Sequence, residues 1–431
     1  MKLFCICALV LFMLISRPLH SEGVKKGNWN SFKKELSNVG KPEWKSLLQY
    51  VVQLHERSTH PPQWPFKYEW EEIGPGYFYG PAFGHWDIVH QSIDVMNFYP
   101  EHALHQLLNN IVNQEANGLI PGSIWMPGLP SKREKVNWNK NEQGHPPVWV
   151  VAVNDYMDFT GDKTHLKDFF TALVRQITWF ENSRKAETEG FFYNDILLKK
   201  WESGVDEGIR FDNTGMGKWA CIDATSHVYQ LYHFANLWAQ KLKIDNEFYK
   251  KRESEIRNFI QEQLYSTETG MFYDIWAIKD SSLRVMAYEN LWPLIVGAAT
   301  NDQANKLIDD FIMNKSVFLT HHPISTLGVN DPKFELRMWR GPAWNSMTYW
   351  VARGCISYNR KDAAKVLLEK ALDNSSQQFQ VTGTIWEFYD SLGGSPEHVK
   401  RKPQTIGNVP CKDYLGHNPL VAMALLYDKI K

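Results

Sequence analysis

Apolar residues recur along this chain at helical spacing in one stretch after another, and two alternating kinds of connection join the stretches. Leu47, Leu48, Val51, Val52 and His55 mark a helix over 44–56. After a long aromatic loop the pattern predicts helices over 85–98 and 101–115, then a second long loop. Pro147 suits a first helical position, and Val148, Ala152, Tyr156 and Phe159 keep a period of four until Gly161, a C-terminal cap. The partner helix covers 162–184. Leu231, Ala235, Trp238 and Leu242 mark the next helix, followed by 247–264, 288–299, 303–313, 343–358, 362–375 and 415–430.

Tight turns at 244–246, 300–302 and 359–361 alternate with long loops, which open on related pieces. These are Gly118-Leu119-Ile120-Pro121, Gly190-Phe191-Phe192-Tyr193-Asn194-Asp195, Gly270-Met271-Phe272-Tyr273-Asp274 and Gly383-Thr384-Ile385-Trp386-Glu387. A recurring loop entry implies a repeated helix pair, and about six pairs with end helices no more polar than middle ones favour a closed ring over an open solenoid. The expected fold is therefore all-α, an (α/α)6 toroid. In such an array every long loop emerges at the same end, so Asp87, Asp206, Arg340 and Glu387 should share one face.

Composition narrows the function. The chain has 431 residues, 43% of them hydrophobic, and a formal net charge of -1. A charge this close to zero gives no electrostatic basis for binding nucleic acid or an anionic membrane. Aromatic residues make up 14%, including 18 Trp, several beside Gly or Pro, and flat rings stack on the C–H faces of sugars. Met1-Lys2 and the apolar run from Leu3 to Ile15 read as a signal peptide over 1–21, leaving 22–431 as one barrel domain in a secreted or luminal protein. No later segment approaches a membrane span. Cys221, Cys355 and Cys411 allow at most one internal bridge and show no metal-ligand spacing, so neither a metal nor a cofactor is expected. Asn314-Lys315-Ser316 and Asn374-Ser375-Ser376 are glycosylation sequons for an ER-routed chain.

The chemistry centres on residues 201–212, where four carboxylates, one arginine and two large aromatics crowd a segment with two glycines. A second stretch of acids among aromatics follows at 384–390. Two separated carboxylates beside apolar rings suit glycosidic-bond hydrolysis, which needs one acid protonated and one ionised. Asp206, Glu202 and Glu207 are the candidates for the acid, with Trp201 and Phe211 expected to desolvate the neighbourhood. Glu387 is the candidate base; the competing reading makes 386–389 a half-buried strand with Glu387 facing solvent. Asp87 could serve either the helix dipole or sugar hydroxyls beside Trp86. Trp339-Arg340-Gly341-Pro342-Ala343-Trp344 sets a close backbone approach between two indoles. Cys221, His227 and His233 read as core or surface residues of a helix.

At these residues the chain resembles the glycoside hydrolases of family 63 and, more distantly, the trehalases of family 37. The matching pieces are Tyr79 to Asp87, His145-Pro146-Pro147-Val148-Trp149, Glu202 to Asp206, Met338 to Asn345, Trp386 to Asp390 and Asp413-Tyr414-Leu415-Gly416. They run in family order from about Gln63 to the C-terminus. The resemblance implies an (α/α)6 barrel, inversion at the anomeric carbon, Asp206 as general acid and Glu387 as general base. It implies a sugar subsite lined by Trp86, Asp87, Trp339, Arg340 and Trp344, with Tyr79, Trp201, Arg210, Trp386 and Gln404 as further substrate contacts. The compact single-barrel form is similar to mannosylglycerate and glucosylglycerate hydrolases, acting on a terminal α-glucosyl or α-mannosyl group of a small glycoside. An oligosaccharide-processing α-glucosidase, a trehalase-like enzyme and a non-catalytic carbohydrate-binding toroid are the alternatives. Glu207, Gly208 and Met338 depart from the family pattern at positions that bear on sugar and aglycone choice.

Overall fold

The structure, a computed structural model, describes residues 27–126, 143–198, 201–212, 214, 217–403 and 407–431. The expected signal peptide and Gln404 lie outside the described residues. Twelve helices among the described residues build the ring. They are α1 (Lys45–Ser58), α2 (Asp87–Val95), α3 (Pro100–Val112), α4 (Trp149–Thr160), α5 (Leu166–Ser183) and α6 (Ile222–Leu242) in the first half. The second half holds α7 (Glu247–Gln263), α8 (Trp292–Ile295), α9 (Asn301–Leu307), α10 (Asn345–Ser357), α11 (Lys361–Thr382) and α12 (Leu420–Ile430).

Burial separates the two layers. Every residue of α2 is buried, and so are most residues of α4, α6, α10 and α12, which marks the inner ring. The outer helices bury one stripe each: α1 does so with Leu47, Leu48, Val51, Val52 and Leu54, each contributing about 1.5–3 kcal/mol. The last helix, α12, packs on α1, α2 and α11, so the ring closes as an (α/α)6 toroid. Local chemistry sets the tight turns. Pro100 opens α3, Gly161 ends α4 in the left-handed region at φ 75°, and Thr300 with Gln303 forms a capping box on α9.

Several boundaries differ from the sequence reading. Helix α4 begins at Trp149, two residues beyond Pro147, and α11 runs on to Thr382. The helix expected over 288–299 is a 3-10 turn, Tyr288–Leu291, followed by the single-turn α8: Pro293 lacks an amide donor and Gly297 at φ 75° stops the turn. Helix α9 continues as one π-helical turn, Ile308–Ile312. Cys221, Cys355 and Cys411 are buried free thiols, so no bridge joins them. Asn374 is 3% exposed and its amide oxygen meets His322 Nδ1 at 2.7 Å, which leaves no room for a glycan on that sequon in the folded chain. Among the described residues no helix is long and apolar enough to cross a membrane.

Each inner helix starts at the long-loop end, so the long loops gather there. The opposite, tight-turn end carries a cavity of about 780 Å³ lined by residues such as Asp155, Tyr349, Arg353 and Leu425, none of which the sequence reading placed in a site.

Candidate active site

Short antiparallel contacts knit the long loops together. Strand β1 (Ala82–Gly84) pairs with β2 (Ser123–Trp125) and delivers Trp86 and Asp87 to the head of α2. Ala343 bridges Tyr389, which places the Trp344 and Glu387 segments side by side. Glu202, a rival for the acid, is fully buried: it binds Arg184 through two nitrogens at 2.7 and 2.8 Å and accepts from the Gly144 amide at 3.3 Å. Its work is to fix the Asp206 loop to the His145 segment.

Asp87 lies between two glycines. A Cβ at Gly84 would stand 2.2 Å from one of its oxygens and a Cβ at Gly416 would stand 2.3 Å from the other, so only bare backbone fits there. Tyr414 Oη donates to Asp87 Oδ1 at 2.9 Å. Burial pushes the Asp87 carboxyl up to about 7, against that hydrogen bond, and the negative charges of Glu387 and Asp206 add to the rise. The three acids, from separate parts of the chain, therefore share one electrostatic neighbourhood. His417, 3.7 Å from Asp87, is held neutral by burial, so this contact is no ion pair.

Asp206 sits in a tight turn closed by Gly208 N donating to Val205 O at 3.1 Å, with Glu207 at φ 61°. Arg340 Nε donates to the Glu207 carbonyl at 2.7 Å and Arg337 pairs with its carboxylate, which holds this left-handed residue in place. Lys402 pairs with Asp206. Glu387 is 2% exposed, accepts from the Cys411 amide at 3.0 Å and is gripped by Arg401. The strand with a solvent-facing Glu387 is thus not what forms.

Aromatic rings pack together where these loops meet. Trp339 stacks on Trp344 at 3.9 Å and 5°, Trp86 stands 6.2 Å from Trp339, and His417 touches Trp86 at 4.8 Å. Gly204 brings its backbone against Trp86: a Cβ there would lie 2.7 Å from the indole. Trp201 begins the same turn, its carbonyl accepting from Gly204 N at 3.0 Å. Tyr79 carries the Arg401 guanidinium 5.7 Å above its ring. His145 lies 6.3 Å from Trp86; burial holds its imidazole down at about 4 against the pull of Asp206. Neither of its ring nitrogens has a hydrogen-bond partner among the described residues. A recess of about 170 Å³, lined by Val205, Glu207, Phe211, Asp212 and Arg340 among others, opens beside the Asp206 turn.

Two expected substrate contacts go elsewhere. Arg210 is buried among Asp223, Asp274 and Glu289, bonded to them at 2.5, 2.7 and 2.9 Å, and this need for three carboxylates in a dry interior takes it away from any sugar. The same guanidinium bonds Asp223 and Asp274, which with Cys221 form the one set of potential metal ligands found among the described residues. Trp386 alternates with Glu387 along the chain, so its ring turns the other way, onto Thr382 at 3.2 Å and under Lys412. Phe211 packs on Trp276 and against Arg210.

Sequence reasoning missed Arg401 and Lys402, which sit in a basic run that reads as solvated surface. Tyr414, Gly416 and His145 lay inside pieces already singled out but had no role assigned.

A ring of helix pairs with acids and indoles at its loop end is the architecture of the toroidal glycoside hydrolases. Residues 81–405 match the family model described as the mannosylglycerate hydrolase MGH1-like glycoside hydrolase domain, and the chain belongs to that family. It is similar to mannosylglycerate hydrolase MGH1 of Selaginella moellendorffii, 21% identical over 384 residues that cover 73% of this chain and 76% of that one. An uncharacterized protein of Borreliella burgdorferi is 21% identical over 269 residues, and the chain spans about half of its length, 54%. The GH63 mannosylglycerate hydrolase of Thermus thermophilus, solved with Tris and D-glycerate, superimposes with a TM-score of 0.67 at 16% identity over 89% of this chain and all of that one. Neutral trehalase Nth1 of Saccharomyces cerevisiae gives 0.58 at 14% identity, covering 86% and 76%. At these identities the structural likeness is one of fold.

Proposed function

We propose that the enzyme removes a terminal α-glucosyl or α-mannosyl group from a small glycoside with inversion, Asp206 acting as general acid and Glu387 as general base. The observation that supports this reading is that two consecutive residues, Arg401 and Lys402, pair with Glu387 and Asp206, which brings both acids to one short segment at the loop end. Glu387 takes a proton from water as the water oxygen attacks the anomeric carbon. Asp206 protonates the leaving oxygen on the other ring face, as the inverting mechanism requires. Asp87, Trp86 and Arg340 hold the sugar. Glycosylglycerates are the favoured substrates, in line with the family's named members. Trehalose or a terminal glucose on an oligosaccharide would use the same sugar-side residues. The apolar run from Leu3 to Ile15, ahead of the described residues, supports a secretory or luminal location.

The test is a panel of α-mannosyl and α-glucosyl glycerates, simple α-glucosides and α-mannosides, and trehalose, run on the native enzyme and on Asp206→Asn and Glu387→Gln. The expected result is release of free sugar from a glycerate glycoside, falling by about 10²–10⁴-fold in each variant. Turnover at the native rate in either variant refutes the assignment of that residue.

A further inference from the structure

The tight-turn end of the ring, away from the acids, has chemistry of its own. Helices α2, α4, α10 and α12 all contribute to the cavity of about 780 Å³ there. That volume falls in the range of about 300–1,000 Å³ that small-molecule sites occupy. Its apolar lining comes from Met96, Phe159, Ile356, Leu425 and Leu426, and the Phe159 ring keeps 48% of its surface exposed. Its polar lining includes Asn97, Asp155, Tyr349 and Arg353.

The charges of this lining are mostly closed in pairs. Arg353 grips Asp155 with both terminal nitrogens, Nη2 at 3.0 Å from Oδ1, and lies 5.7 Å from the Tyr349 and Trp350 rings. Asp158 faces Lys241 at 3.6 Å. Lys429 alone has no acid partner among the described residues, and it is exposed, where a charge attracts weakly. Hydrogen-bonding capacity, by contrast, is left over. Tyr349 is 4% exposed and accepts from Arg353 Nη1 at 3.1 Å, while its own hydroxyl proton has no acceptor among the described residues. Arg353 Nε and the Asn97 amide likewise have no partner among them. Each Asp155 oxygen receives one bond and can accept a second.

We propose that this cavity is a second sugar site, one that takes a neutral mono- or disaccharide. A sugar ring carries hydroxyls that both donate and accept along its edge, and C–H groups on its faces. Its hydroxyls accept from Tyr349, Arg353 and Asn97 and donate to Asp155, while a C–H face lies on Phe159 and the leucines. A wholly apolar ligand would strand the buried Tyr349 hydroxyl, and a strongly charged one would meet ion pairs already closed. Helix α10 runs from Asn345, next to Trp344, to Ser357 at the cavity, about 18 Å of helix axis. A sugar bound here is therefore separate from one held by Trp86 and Asp87, and the proposal does not depend on which residues act as acid and base.

The test is titration calorimetry with glucose, mannose and cellobiose, which offer no α-glycosidic bond to cleave, together with a crystal structure grown in the sugar that binds best. Asp87→Asn, which weakens the loop-end subsite, should still bind one sugar per chain. Adding Asn97→Leu or Phe159→Ala, neither at a fully buried position, should weaken that binding by about three- to tenfold each, the range for one lost neutral contact. In the otherwise native chain the same two substitutions should leave kcat/KM unchanged, and melting curves check that both fold. The crystal should show the sugar against Arg353 and Tyr349. No saturable binding in Asp87→Asn, equal affinity with and without the cavity substitutions, or a cavity without sugar in the crystal overturns the proposal. Tighter binding of glucosamine or glucuronate than of glucose in Asp87→Asn overturns the neutral class of ligand.

Discussion

Arg401 closes a two-pronged ion pair on Glu387, Nε 2.7 Å from Oε2 and the terminal nitrogen 2.8 Å from Oε1, where neither side chain reaches water. The pair joins residues 14 apart on one long loop, so it fixes the shape of the segment that presents the carboxylate. Two desolvated charges gain little net energy together, but one alone is costly.

Arg401→Leu should therefore destabilise the fold by about 3–5 kcal/mol, the cost of an uncompensated buried charge. The double variant Arg401→Leu/Glu387→Leu should recover much of that loss. Thermal or denaturant melts of the native chain, both single variants and the double variant check this. Additive losses in the double variant would show that the two side chains do not act as a pair.

Asp87 makes stability depend on pH. Its folded value of about 7 stands above the ordinary 3.8, so near pH 3 the group is protonated folded or unfolded and has no effect. Between the two values the unfolded chain gives up its proton while the folded chain keeps it, and stability falls as pH rises, by about 1.4 kcal/mol per pH unit. Above about 7 the loss is complete. Asp87→Asn keeps an acceptor for Tyr414 and removes the charge. The variant should melt higher than the native protein at pH 8 and nearly level with it at pH 4. Parallel melting curves across that range would contradict the burial argument.

Gly204 takes φ 75° with its backbone against the Trp86 ring. Gly204→Ala adds a Cβ 2.7 Å from the indole in a conformation that costs an L-residue about 1–2 kcal/mol. The turn carrying Asp206 has to shift, so kcat/KM should fall by about tenfold or more, the consequence of misplacing a reacting group. Steady-state kinetics beside a melting curve separate this from simple unfolding; native kinetics would show that the turn tolerates the shift.

The fold was legible because its signal is periodic. Ten or more residues of helical spacing, repeated with alternating short and long joints, leave few arrangements besides a ring of pairs, and Gly161 fell where a cap was expected. The helix over 288–299 failed because one proline and one glycine outweigh apolar spacing in so short a stretch. The candidate acids stood out in the sequence where rings flank them, but their environment did not. Lys402 and Asp206 lie 196 residues apart, and Arg210 reaches Asp223, Asp274 and Glu289 from separate points of the chain. Arginine beside aromatics in a loop looks the same in sequence whether it faces a sugar or three buried carboxylates. Alternation could have warned that Trp386 and Glu387 point apart.

The central claim, that Asp206 and Glu387 act from opposite faces of a sugar with one water between them, is tested most directly by the configuration of the first sugar released. Hydrolysis of an α-glycosyl glycerate followed by proton NMR before mutarotation should show the β-anomer appearing first and the α-anomer growing in later. The α-anomer appearing first would mean retention and would contradict the account.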